Sequence, residues 1–102
     1  MDKFETIITG IDDIKYSIVN ILKNFTIRTN IHIERLSFIS DISVDFTFCR
    51  GIEQNQVNCN ILIRELVGKN YYEIEAYVWL FIMKRDLEES YGVKNIEILL
   101  RR

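Results

Sequence analysis

Ala76-Tyr77-Val78-Trp79-Leu80-Phe81-Ile82-Met83 is an unbroken apolar run, preceded by Asn70 and Glu73 and followed by Lys84, Arg85 and, further on, Gly92. A run of this length fits a buried strand or a buried helix, so its flanks decide. Asn70 followed three residues later by Glu73 is a loose capping box, and Gly92 suits the left-handed conformation that closes a helix. The stretch 70–92 therefore reads as a helix that is apolar on more than one side, and the rest of the chain has to cover it.

Two stripes run along that helix at about 100° per residue. Ala76, Leu80, Met83, Leu87 and Tyr91 form one, and Ile74, Tyr77, Val78, Phe81 and Ile82 form the other on the opposite side of its first half. The first continues through the charged second half and is expected to face a sheet. The second stops where Lys84 and Arg85 begin. Covered by another helix it is core; left open, Ile74, Tyr77, Val78 and Phe81 are the expected partner surface, since exposed apolar patches commonly mark protein contacts.

Upstream, Phe4, Ile7, Ile8, Ile11, Ile14, Ile18, Val19, Ile21, Leu22 and Phe25 share one face of a helical wheel, with Glu5, Thr6, Thr9, Asp12, Asp13, Asn20 and Lys23 opposite. The phase passes through Gly10 without a break, which predicts one helix over 2–25 despite the local cost of glycine. The alternative is a short strand over 3–9, with a helix starting at Ile11 and Asp12 and Asp13 in its first turn.

Between the helices the pattern changes to alternation. Ile27, Ile31 and Ile33 alternate, then Leu36 and Phe38 fall on the other parity, which predicts a strand with a bulge near Glu34-Arg35. Ser40-Asp41 forms a tight connection to a second strand with Ile42, Val44, Phe46 and Phe48 on one side and Asp41, Ser43, Asp45 and Thr47 on the other. A polar loop over 50–56 leads to a third strand carrying Val57, Cys59, Ile61 and Ile63 inward. After Gly92, Ile96, Ile98 and Leu100 alternate with Asn95 and Glu97, and a strand reached across a helix is expected to run parallel to the third. The expected fold is α+β: two helices on one face of a four-stranded mixed sheet, in the order α-β-β-β-α-β, in a single domain over 1–102. A weak internal echo lays 20–36 on 85–101, matching Leu22 with Leu87, Asn30-Ile31 with Asn95-Ile96 and Ile33 with Ile98, as a duplicated helix-plus-strand unit would.

With 102 residues, 48% hydrophobic and 27% charged, the chain has material for one core. A net charge of −2 argues against a surface built to neutralise phosphates, so nucleic acid is an unfavoured partner. The acids in Met1-Asp2-Lys3-Phe4-Glu5 do not suit a secretory signal, and no apolar run reaches the length of a membrane span. A soluble intracellular protein with reduced thiols is expected, with no membrane partner.

Candidate chemical sites are sparse. His32, the single histidine, shares a strand face with Glu34, but no nucleophile accompanies them. Cys49 and Cys59 with one histidine lack the close ligand pairs of a zinc site, and the expected register sets the two thiols on opposite sides of the sheet, unbonded. Asp41 and Asp45 share a face and read as edge protection. Lys84, Arg85, Glu88 and Glu89 read as an exposed, ion-paired helix surface. Arg35, Arg50, Arg64, Arg101 and Arg102 make a basic patch only if the sheet order gathers them. No catalytic residue, cofactor, metal or small-molecule substrate is indicated.

The usage of Ile, Asn and Tyr in a small α/β chain of this length resembles the orphan proteins encoded by filamentous viruses of acid- and heat-loving archaea, the Acidianus filamentous viruses among them. The resemblance implies an intracellular protein made in an infected host, and it carries no site residues. The expected function is a non-enzymatic protein–protein interaction module acting on a host or viral protein, with self-association as one form of it; the alternative is a weak nucleic-acid-binding regulator.

Overall fold

The computed structural model describes residues 5–50 and 56–91. Its elements are β1 (Ile7–Ile8), α1 (Ile11–Arg28), β2 (Ile31–Ile39), β3 (Ser43–Arg50), β4 (Val57–Leu62), a single 3₁₀ turn (Ile63–Glu65), β5 (Lys69–Asn70) and α2 (Tyr71–Tyr91). The fold class is α+β.

The first helix departs from the expectation of a continuous run through Gly10. Gly10 is extended (φ −74°, ψ 134°) and stands as the N-cap of α1, with Asp12 and Asp13 in the first turn. Ahead of it, Ile7 pairs with Asn70 and Ile8 with Lys69 in a short antiparallel ladder, and the Ile8 carbonyl accepts the Gly68 N–H at 3.1 Å. The run Thr6-Ile7-Ile8-Thr9 is β-branched throughout, and such side chains lose freedom in a helix that they keep in a strand. The strand-then-helix alternative is the one the chain adopts. At the other end α1 overruns the expected limit and takes in Ile27, which is 80% exposed. Thr29 stops it: its hydroxyl donates to the Phe25 carbonyl at 2.8 Å and accepts the Ile31 N–H at 3.1 Å, so the same side chain ends α1 and starts β2.

β2, β3 and β4 form an antiparallel sheet with β3 in the centre. The expected bulge is present, as a shift of register between Glu34 and Ser37 with Arg35 at φ 55°. It carries Phe38 opposite Val44, on the parity that Ile33 holds opposite Phe48 before the shift. The tight connection at Ser40 is present too, with Ser40 at φ 50°. Val44, Phe46, Phe48, Val57, Cys59 and Ile61 point inward. Against them pack Ile14, Ile18, Ile21, Leu22 and Phe25 of α1, and Ile74, Val78 and Ile82 of α2. The two helices lie side by side on one face of this sheet, α1 toward β2 and α2 toward β4.

Among the described residues the strands therefore make two antiparallel sheets, of three strands and two, and not the single four-stranded mixed sheet expected. The expected strand over 93–100, the Gly92 closure, Arg101, Arg102 and the last part of the internal echo lie outside the described residues. Among the described residues, no helix is long and apolar enough to cross a membrane.

Candidate interaction surface

The N-terminus of α2 forms as the capping box requires. The Glu73 N–H donates to Asn70 Oδ1 at 2.9 Å, and the Asn70 N–H donates to Glu73 Oε1 at 3.0 Å. Two backbone donors that the helix cannot satisfy internally are met in this way. The box marks where α2 begins.

That phase is the reverse of the one expected from the two stripes. Ile74, Val78 and Ile82 are 0% exposed, and Tyr77 and Phe81 are partly buried against the same core. The outward side carries Leu80 at 71% exposure, Met83 at 42% and Leu87 at 36%, together with exposed Ala76. The stripe assigned to the sheet faces solvent, and the stripe containing Ile74, Tyr77, Val78 and Phe81 faces the core. Two of those four, Ile74 and Val78, have no surface to present.

The physical reason lies in the second half of α2. Past Ile82 the inward side continues with Arg85 and Asp86, not with apolar residues. Buried Asp86 is ion-paired with Arg50 at the end of β3. Arg85 donates from Nη2 to the Asn58 carbonyl of β4 at 3.2 Å and pairs with Glu88 at 3.0 Å and Glu89 at 3.3 Å. The sheet end supplies partners for these charges, so the inward stripe runs on where its hydrophobicity stops. Of the two expected i,i+4 pairs, Arg85 with Glu89 is present, while Glu88 pairs with Arg85 and not with Lys84.

Outside, Ala76, Leu80, Met83 and Leu87 are spaced by four, three and four residues. This is the spacing of a coiled-coil seam, in which apolar side chains recur about every 3.5 residues along one line. Beside the ridge is a groove of about 460 Å³ lined by Tyr77, Leu80, Phe81, Lys84, Arg85 and Glu88. Such a surface offers apolar area and a few charges.

The other candidate residues do not converge. Glu34 accepts a hydrogen bond from Gln56 at 3.0 Å, while His32 sits exposed opposite Cys49. Asp41 is held by Lys15 at 2.7 Å, and Asp45 by Asn60. Phe48 lies opposite Val57 and Phe46 opposite Cys59, so Cys49 and Cys59 fall on opposite faces of the sheet as free thiols. Burial pushes the Cys59 thiol up to about 11, against the pull of the Arg85 guanidinium, so it stays protonated and behaves as a small core side chain. Arg50, Arg64 and Arg85 each face a carboxylate. Among the described residues, no group of three or more His, Cys, Asp or Glu is placed to hold a metal ion.

At the other side of α2, Trp79 stacks edge-on with Phe25 at 4.6 Å and lies under the Arg28 guanidinium at 5.1 Å. This joins the end of α1 to the middle of α2 and fixes which way the ridge points. Comparison with protein-family models, with curated proteins and with solved structures finds no match to this chain.

Proposed function

We propose that the chain is a non-enzymatic protein–protein interaction module whose contact surface is the outward ridge of α2. The observation that carries this reading is the exposure of Leu80, Met83 and Leu87 in one line with Ala76, on a helix whose opposite side is sealed. Single exposed apolar residues are ordinary on a protein surface; an aligned series with seam spacing is the form in which one helix receives another. A role as a viral accessory protein, with a host or viral protein as partner, is supported only by the residue usage described above. Phosphate-driven binding gains no support from Arg50 and Arg85, whose guanidinium groups are ion-paired with Asp86 and Glu88.

Site-specific photo-crosslinking tests the proposal. A benzophenone-bearing residue replaces Leu80, and the same residue replaces Ile42, equally exposed but in a turn away from α2, as the control. In the cells that make the protein, a discrete adduct with a polypeptide is expected from position 80 and not from position 42. Adducts from both positions alike, or none from position 80, would overturn it.

A further inference from the structure

We infer that the α2 ridge pairs with the same ridge of a second copy, the two helices running antiparallel, with Lys84 of each copy beside Glu73 of the other. This rests on the interaction reading above and names its partner. The seam spacing extends one step toward the helix start, through Glu73, so that Glu73, Ala76, Leu80, Met83 and Leu87 alternate by three and four residues. In a parallel pair, Glu73 would oppose Glu73 inside the seam. In an antiparallel pair with a two-fold axis between Ala76 and Leu80, Ala76 lies opposite the second copy's Leu80, and Glu73 opposite the second copy's Met83.

That register suits both shape and charge. Ala76 is the single alanine of the chain, and it sits where a Leu80 side chain from the other copy needs room. Lys84 adjoins Met83 on the same helix, so it stands next to the second copy's Glu73, whose carboxylate is exposed and uses Oε1 for the capping box. The two-fold axis repeats the pair. Residues 73 and 84 lie about 16 Å apart along one helix, so the two ion pairs bracket Ala76, Leu80 and Met83, and Leu87 lies about one turn beyond them. A surface one helix wide buries less than the roughly 800 Å² per partner of a standard interface, so the pair is expected to be weak and concentration-dependent.

Sedimentation equilibrium over about a hundredfold range of concentration, centred on the affinity of such a small interface, reads the pairing. Wild type is expected to shift from monomer toward dimer. Lys84→Glu and Glu73→Lys, each alone, should weaken self-association by about tenfold or more, because each places like charges together. Mixed in equal amounts, these two variants should recover a dimer, since only the mixed pair sets opposite charges at both ends. Glu73→Gln keeps a side chain competent in the capping box, and it should weaken association without moving the unfolding transition, which separates lost charge from lost fold. A wild type that stays monomeric throughout would overturn the pairing while leaving the photo-crosslinking result to decide the interaction reading. Dimerisation that survives the single variants, or a mixture that fails to recover it, would overturn the antiparallel register.

Discussion

The two sides of α2 are close in hydrophobicity and opposite in fate. Ile74, Val78 and Ile82 are sealed against the sheet and α1, whereas Ala76, Leu80, Met83 and Leu87 meet solvent. Hydrophobicity alone did not assign these sides. Shape and partners did: the inward residues are β-branched and stiff, suited to interlocking with a sheet, and the outward ones are strong helix formers that hold a helix without needing a neighbour. The inward side also ends in Arg85 and Asp86, whose charges the end of the sheet receives.

The comparison is broken most directly from the inside. Ile82→Ala removes a fully buried side chain and is expected to cost about 2–5 kcal/mol in chemical denaturation, with a loss under about 0.5 kcal/mol indicating that the inward side is not packed as described. Next in size is Asp86→Ala. It frees Arg50, whose half-exposed guanidinium is rehydrated, so the expected loss is about 1–2 kcal/mol, toward the low end for a charged hydrogen bond. If Asp86→Ala proved neutral, the polar continuation of the inward stripe would have no energetic content. Asn70→Ala then tests the start of α2: losing this half of the capping box should cost about 1 kcal/mol, read as a lowered unfolding midpoint.

The start of α2 was legible in the sequence outright, and the start of α1 at Ile11 only as the second of two readings. Asn70 and Glu73 announce the one with side chains that can satisfy backbone donors. Gly10 offers no such group, and the helical phase of Phe4, Ile7 and Ile8 carries past the true boundary by coincidence. Ile7 in fact is 61% exposed, so its place on the wheel was never a place in the core. The two-residue ladder from Ile7 and Ile8 to Lys69 and Asn70 is too short to show as alternation, and it joins segments some sixty residues apart. The bulge near Glu34, the inward residues of β3 and β4 and the separation of the thiols were readable, because alternation is a strict signal once a face is buried, but Ile42, expected inward, lies in the turn before β3 and is 64% exposed. The outward stripe of α2 departs from the expected phase because the continuity of a stripe along a helix does not by itself mean burial. Its spacing of four, three and four was the available signal, and it marks a seam whether or not a neighbour is present.

A smaller effect follows at the other helix. No side chain caps α1, and a Cβ at position 10 would meet only the Asp13 carboxylate oxygen, at 3.2 Å, on a side chain free to turn. Gly10→Ser is therefore expected to stabilise by about a few tenths of a kcal/mol in thermal unfolding, by supplying the missing acceptor. A loss of stability would mean that the β1 entry needs glycine there.

The smallest expected effect tests the central claim, that the outward side of α2 belongs to a partner and not to the core. Leu80→Glu is compared with wild type by equilibrium denaturation at a concentration low enough to keep both monomeric. Stability is expected to change by no more than about 0.5 kcal/mol, as for an ordinary surface substitution. A loss of about 2 kcal/mol or more would show that Leu80 is covered from within the same chain, and the ridge would then be part of the core.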